Sequence, residues 1–427
     1  MLSVLGLAGA VEPVFMAANH THRFVFESEG RVFDLPCGVA EWRRALLAEF
    51  PGDRIAVDRY FDRVETVRMH TPGMDLSRLT EPARRLDEDS VSLAAVLDGL
   101  TDNALLKAVL CGLGMCHGVK PSEISFASHA RVCFELYEST ARLRHGGESL
   151  IDAFADRFKA LDVDVRTGSW ITACGDVTDD RVTRFELNTG EEVSAGSVIL
   201  TIHPRQILEL LPRGHYSKAF AARVEAFEPS AGFFTVYGTL DDGPDPDFGS
   251  TIVSLFPSLD FEAMLSPDYR GEPALVIVGS LDEANGAPCR VVTAFEPSFF
   301  EHVAPWKDSL TGRRPPGYAA YKADRVAAIR RHLGRYDRRY EERLRVLDSA
   351  SILTFRDYLH SPEGAAYGIK QKVGQYNLIG KLPIRNFFAA GQSSLLPGLM
   401  GAMMSSFVVT RLVLGRDTVN RLTSTPP

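Results

Sequence analysis

Two short segments near the C-terminus carry residue types that can do chemistry without a titratable side chain. The first is Asn386-Phe387-Phe388-Ala389-Ala390-Gly391-Gln392; the second is Pro397-Gly398-Leu399-Met400-Gly401-Ala402. The spacing predicts a buried strand, a turn, a Pro/Gly loop and an apolar helix. Such a loop aims backbone N–H groups and the positive end of a helix at whatever lies above it. Gly398 and Gly401 allow a ligand to approach the backbone closely. Gly398 and Gly401 are therefore candidate binding residues.

Other side chains offer less. No Ser/His/Asp or Cys/His arrangement has a diagnostic spacing, so no catalytic residue is assigned. His117, His129 and His203 sit in apolar settings and read as structural histidines. Tyr137 and Tyr367 could face a cavity but read first as core or rim. The six cysteines are scattered without a C-x-x-C, which predicts reduced thiols in a cytoplasmic protein and no metal site.

At 427 residues the chain suits two interleaved domains. A hydrophobic content of 45% with 24% charged residues is that of a globular protein. Net charge is −8, and Asp and Glu interrupt the Arg-rich stretches, which argues against nucleic-acid binding. Glu12 and Pro13 break the apolar N-terminus, so neither a signal peptide nor a spanning helix is expected; peripheral membrane contact stays open.

The elements that must position the C-terminal segments follow from periodicity. Residues 22–35 form a hairpin around Glu29-Gly30. Helices are expected at 41–50, 55–70, 91–117 and 122–139, with a loop at 72–90. After His145-Gly146-Gly147 comes a helix to about 160, then a strand at 163–167. A meander follows at 170–174, 181–187 and 191–193, then a strand at 197–201 and a helix from Pro204. Strands at 233–240, 251–256, 274–280 and 291–295 form an antiparallel sheet. A charged helix over 317–347, a strand over 351–359 and a final helix over 399–414 complete the chain.

The two C-terminal segments, the Gly146-Gly147 helix with its meander, and Ser361-Pro362-Glu363-Gly364-Ala365-Ala366-Tyr367-Gly368 together resemble phytoene desaturases and carotenoid isomerases. These are FAD-dependent oxidoreductases of the amine oxidase superfamily, and the resemblance runs from about residue 22 onward. It implies an α/β fold: an incomplete, Rossmann-like FAD-binding sheet domain interleaved with an antiparallel-sheet and helical substrate domain. The first would comprise 1–40, 141–215 and 381–427; the second, 41–140 and 216–380. It further implies FAD near Gly391 and Gln392 (ribityl-phosphate) and near Leu399, Met400, Gly401 and Ala402 (ring). Ile171 would make backbone contacts beside the adenine. The implied substrate is a lipophilic, polyene-like small molecule that is desaturated, saturated or isomerised. Flavin-dependent amine oxidation shares the C-terminal pattern and ranks lower.

One part of the resemblance is missing. A dinucleotide fold needs strand, G-x-G-x-x-G, helix and an acidic residue about 20 positions later. In Val4-Leu5-Gly6-Leu7-Ala8-Gly9 a Val stands where the first Gly belongs, and the residues before Asp34 leave no room for the rest. Three solutions are open: a sequence that starts late, a partner chain that supplies the missing unit, or residues 2–8 filling the slot as a surrogate strand. A flavin-less relative acting as a binding protein or non-catalytic subunit, as in Rab GDP-dissociation inhibitors, is the alternative function.

Overall fold

A computed structural model describes residues 1–71, 74–75, 78, 85–240, 248–284 and 287–424. Its largest sheet has seven strands, in the order Leu344–Ala350, Gly232–Leu240, Ala287–Ser298, Leu275–Ala284, Ile252–Phe256, His22–Phe26 and Arg31–Leu35. All neighbours are antiparallel except Ile252–Phe256 and His22–Phe26, which run parallel. Alternation decides which side chains go inward: His22, Phe24 and Phe26 are buried while Arg23 and Val25 are partly exposed. The hairpin at 22–35 forms as expected and joins this sheet through His22–Phe26. Its β-branched and aromatic residues pair with Ile252–Phe256, a partner far away in sequence.

The helices of the cap pack on Phe24, Phe26 and Phe256 in one apolar core. The single helix expected over 91–117 is two, Leu93–Leu100 and Ala104–Cys111, followed by a tighter turn. Asn103 explains the break. Its Oδ1 accepts the Leu106 N–H at 3.1 Å, and its amide nitrogen donates to Asp53 at 2.8 Å. A cap anchored from another helix outweighs continued apolar periodicity. The strand expected at 351–359 is a helix, Ile352–Leu359, for the same kind of reason: Ser351 Oγ accepts the Leu353 N–H. The preceding strand is Leu344–Ala350, in the stretch assigned to the charged helix, which ends at Tyr336.

A buried polar chain runs through the cap. The Val119 N–H donates to His117 Nδ1 at 3.3 Å, which puts the His117 proton on Nε2. His117 Nε2–H then donates to His129 Nδ1 at 3.1 Å, and His129 Nε2–H donates to Tyr60 at 3.0 Å. Tyr60 donates to Tyr137 at 2.9 Å. Tyr137 is thus a core residue. Burial holds both imidazoles below their ordinary range, His129 at about 4.

The second region is small. Strands Val198–Leu200 and Phe387–Ala389 pair in parallel, and Gly380–Lys381 joins the latter antiparallel. The meander Ile171–Cys174, Arg184–Leu187, Glu192–Ser194 forms its own sheet. Asn386 locks the two together: its amide donates to Val182 O at 2.7 Å and its carbonyl accepts the Val182 N–H at 3.2 Å. No strand forms at 163–167, where Val163 and Val165 are exposed. Residues 2–8 are not a surrogate strand; Leu2–Leu5 is a helical turn ended by Gly6 in the left-handed region. Leu7 and Val11 pack on Ala153 of the helix Gly146–Ala160.

The neutral histidines set a pH dependence. His22 and His129 have folded values of about 4 against about 6.5 for an unperturbed imidazole. Below about 6.5 the unfolded chain binds protons that the folded one refuses. Stability should fall as pH drops from 7 toward 4, seen as a falling urea midpoint. Tyr60→Phe, which removes the hydroxyl that bridges His129 and Tyr137, should cost about 1–3 kcal/mol at pH 7.5.

Candidate functional site

The parallel pair ends where the site begins. Ala390 N–H donates to Leu200 O at 3.0 Å, and the chain then turns at Gly391 with φ 101°. A Cβ here would lie 3.1 Å from Thr201 O, so the turn requires glycine on two counts. The Gly391 N–H is not free for a ligand. It donates to Ser405 Oγ at 2.8 Å, whose hydroxyl donates to Ala402 O at 2.6 Å. Ser405 thereby ties the turn to the helix Gly398–Leu414.

That helix begins after Pro397 with no side-chain cap. Its first N–H groups have no intrahelical acceptor, and they carry the positive end of the dipole. Gly398 has φ 77°, and a Cβ on it would meet nothing within 4 Å, so the space over the helix start is open. Gly401 acts differently. A Cβ there would lie 1.9 Å from Leu396 O, so its smallness lets the loop pass close to the helix.

A cavity of about 550 Å³ lies over these elements. Ile199 and Thr201 line it from the strand, Gly391 and Gln392 from the turn, and Gly398, Leu399, Ala402 and Val409 from the helix. Ala366 and Tyr367 close another side. Tyr367 is held by its own loop: its N–H donates to Ser230 Oγ at 3.0 Å, and its ring packs edge-on to Phe233. Arg205 fixes the start of that loop through Glu363 at 2.9 Å. Burial raises the Tyr367 hydroxyl far above the ordinary phenol range. Among the described residues the lining therefore offers no acid or base that titrates near neutrality.

The site can hold a flat group with apolar faces and place a negatively charged edge at a helix start. It cannot supply or accept electrons itself. Of the sequence candidates, Gly391, Gln392, Gly398, Leu399 and Ala402 converge on the cavity. Met400 does not line it, and Gly401 supports the loop. Ile171 lies in the meander, paired with Leu187, and does not line it either. Thr201, Ser405, Ser406 and Val409 escaped sequence reasoning; the helical spacing 398, 402, 405/406, 409 was the signal that could have found them. His203 caps the helix Pro204–Leu210, its Nδ1 accepting the Arg205 N–H at 3.2 Å. Glu27, Glu272 and His332 bring three ligand-type atoms together, but Arg335 pairs with both carboxylates and makes this an ion-pair network.

No family model matches the chain. It is 23% identical over 436 residues to all-trans-retinol 13,14-reductase of Macaca fascicularis, covering 90% of this chain and 70% of that protein. The Homo sapiens enzyme of the same name is 21% identical over 431 residues, with the same coverage. Among solved structures, putrescine oxidase with putrescine bound superposes with a TM-score of 0.61 at 12% identity, covering 97% of this chain and 86% of that one. Cyclohexylamine oxidase from Brevibacterium oxydans gives 0.54 at 11%, covering 99% and 84%. The chain shares its fold with these two oxidases. Its relatives in sequence are retinol 13,14-reductases.

The residues present fit one end of an FAD. The uncapped helix start, the open face of Gly398 and the apolar walls suit the ring. The nucleotide end has no such cradle, because no glycine-rich strand-to-helix turn lies beside Val198–Leu200 among the described residues.

The Gly391–Ser405 link is testable. Ser405→Ala leaves the Gly391 N–H unpaired, and Gly391→Ala forces a Cβ toward Thr201 O. Each should cost about 1–3 kcal/mol, read as a lower urea midpoint in chemical denaturation.

Proposed function

We propose that the chain is an FAD-dependent oxidoreductase acting on a lipophilic, polyene-like small molecule. The observation that carries this reading is the apolar cavity set on the uncapped start of Gly398–Leu414. The sequence likeness to retinol 13,14-reductases over 90% of the chain supports the substrate class. A bound flavin would supply the hydride chemistry that the lining lacks. The first turn of the helix would stabilise negative charge on the ring edge without a titratable group. Ile199, Ala366 and Tyr367 would exclude water from one face. The reaction direction favoured is saturation of a conjugated double bond, as in the reductases to which the sequence is similar.

A second reading has an observation of its own. The missing nucleotide cradle fits a flavin-less protein that binds a lipophilic molecule or serves as a non-catalytic subunit.

The purified chain, mixed with FAD and desalted, should keep absorbance near about 375 and 450 nm, as a bound flavin does. After anaerobic photoreduction, all-trans-retinol should reoxidise it. Ala402→Leu, which fills the cavity, should weaken FAD retention at least about tenfold, or about 1.4 kcal/mol, with little change in melting temperature. A folded chain that retains retinol but no FAD supports the second reading.

A further inference from the structure

A separate cavity, of about 400 Å³, lies where the cap, the loop 371–377 and the C-terminal segment meet. No residue lines both it and the first cavity. Its floor is apolar and buried, formed by Leu396 and Met404. Met404 lies two residues past Ala402, roughly half a turn round, so the helix Gly398–Leu414 stands between the two cavities. The loop is fixed to the cap: Val373 N–H donates to Glu123 O at 2.8 Å, and Lys370 pairs with the Glu123 carboxylate at 3.0 Å. The walls are therefore already in place.

Three side-chain amides in series orient one donor on the wall. Gln375 Nε2 donates to Lys370 O at 2.6 Å and to Asn377 Oδ1 at 2.8 Å. A backbone carbonyl can only accept, so it fixes which end of Gln375 faces it, and the order of the next two amides follows. Asn377 Nδ2 donates to Gln371 Oε1 at 2.6 Å. Gln371 lines the cavity and is 6% exposed, and its Nε2 has no partner among the described residues. A buried donor left unmet is costly, and native proteins rarely keep one without a use.

The charges on the lining have the matching sign. Asp89 is its one carboxylate, and it is already taken: Arg131 donates to Oδ1 at 2.6 Å and the Leu86 N–H to Oδ2 at 2.8 Å. Lys372 is paired with Glu228 at 2.6 Å. Arg85 meets only hydroxyls, Ser90 Oγ at 3.0 Å and Tyr376, over whose ring it also lies. It has no carboxylate opposite it among the described residues.

We propose that this cavity is a second small-molecule site, for an amphiphilic carboxylate whose head meets Gln371 and Arg85 and whose apolar body lies on Leu396 and Met404. A volume of about 400 Å³ falls in the range of ligand sites. The amide and the guanidinium offer donors to the two oxygens of a carboxylate, and the arginine supplies the one opposite charge that it needs. A phosphate monoester fits less well, because it would bring close to two negative charges against a single unpaired cation. A neutral alcohol would satisfy Gln371 and leave the charge of Arg85 unused.

Titration calorimetry on the full chain tests this without any flavin, and so apart from the oxidoreductase reading. Decanoate should bind at one site per chain. Decan-1-ol and inorganic phosphate should bind at least about tenfold more weakly, as expected when a charged hydrogen bond or the apolar contact is lost. Gln371→Met, which removes the donor, should weaken decanoate at least about tenfold. So should Arg85→Gln, a change at an exposed side chain that leaves the fold intact. Ala402→Leu, which fills the first cavity, should leave decanoate binding unchanged. Four results would overturn the proposal: no decanoate binding, decanol or phosphate binding as tightly as decanoate, full affinity in Arg85→Gln or in folded Gln371→Met, or loss of decanoate binding in Ala402→Leu.

Discussion

The site rests on two parallel strands of three residues each. Val198–Leu200 and Phe387–Ala389 come from distant parts of the chain, and little else aligns the turn at Gly391 with Thr201. So short a ladder has few hydrogen bonds of its own. Its stability comes from what flanks it: Phe387 buried against Phe185 of the meander, and Asn386 satisfying the backbone at Val182. A buried amide that meets both the donor and the acceptor of one residue's backbone specifies register as well as position.

From that pair outward, each part of the cavity follows by a distinct constraint. The tight turn needs glycine at 391 because of both its backbone angle and the approach of Thr201 O. Gly401 is needed so that the Leu396 carbonyl can pass the helix. The Tyr367 loop is fixed from the other side, by Ser230 and by the Arg205–Glu363 pair. The surroundings are therefore rigid polar links, while the lining is nearly all apolar. That division suits a site which positions a reactive group and leaves the electron chemistry to that group.

The cap obeys different rules. Its core is closed by a run of aromatic contacts from Phe24 through Trp42, Tyr137 and Phe61 to Tyr60, and by a chain of hydroxyls and neutral imidazoles. Because every member has a partner, the cap can bury four polar side chains at modest cost. Nothing in this network touches the cavity directly, so its histidines read as scaffold.

Much of this was legible from residue order alone. Local periodicity and turn chemistry placed the hairpin, the meander, the antiparallel strands and the final helix, because those signals act over a few residues. The C-terminal Gly and Pro positions pointed to the cavity for the same reason. Tertiary contacts decided the rest. Asp53 reaching Asn103 split a helix; a distant partner drew the 22–35 hairpin into the large sheet; and Ser405, about two turns into an apolar helix, took the Gly391 N–H. At 163–167 the apolar alternation favoured a strand, yet none formed. A strand is a property of a pair of backbones, and no sequence can show by itself whether the second one is present.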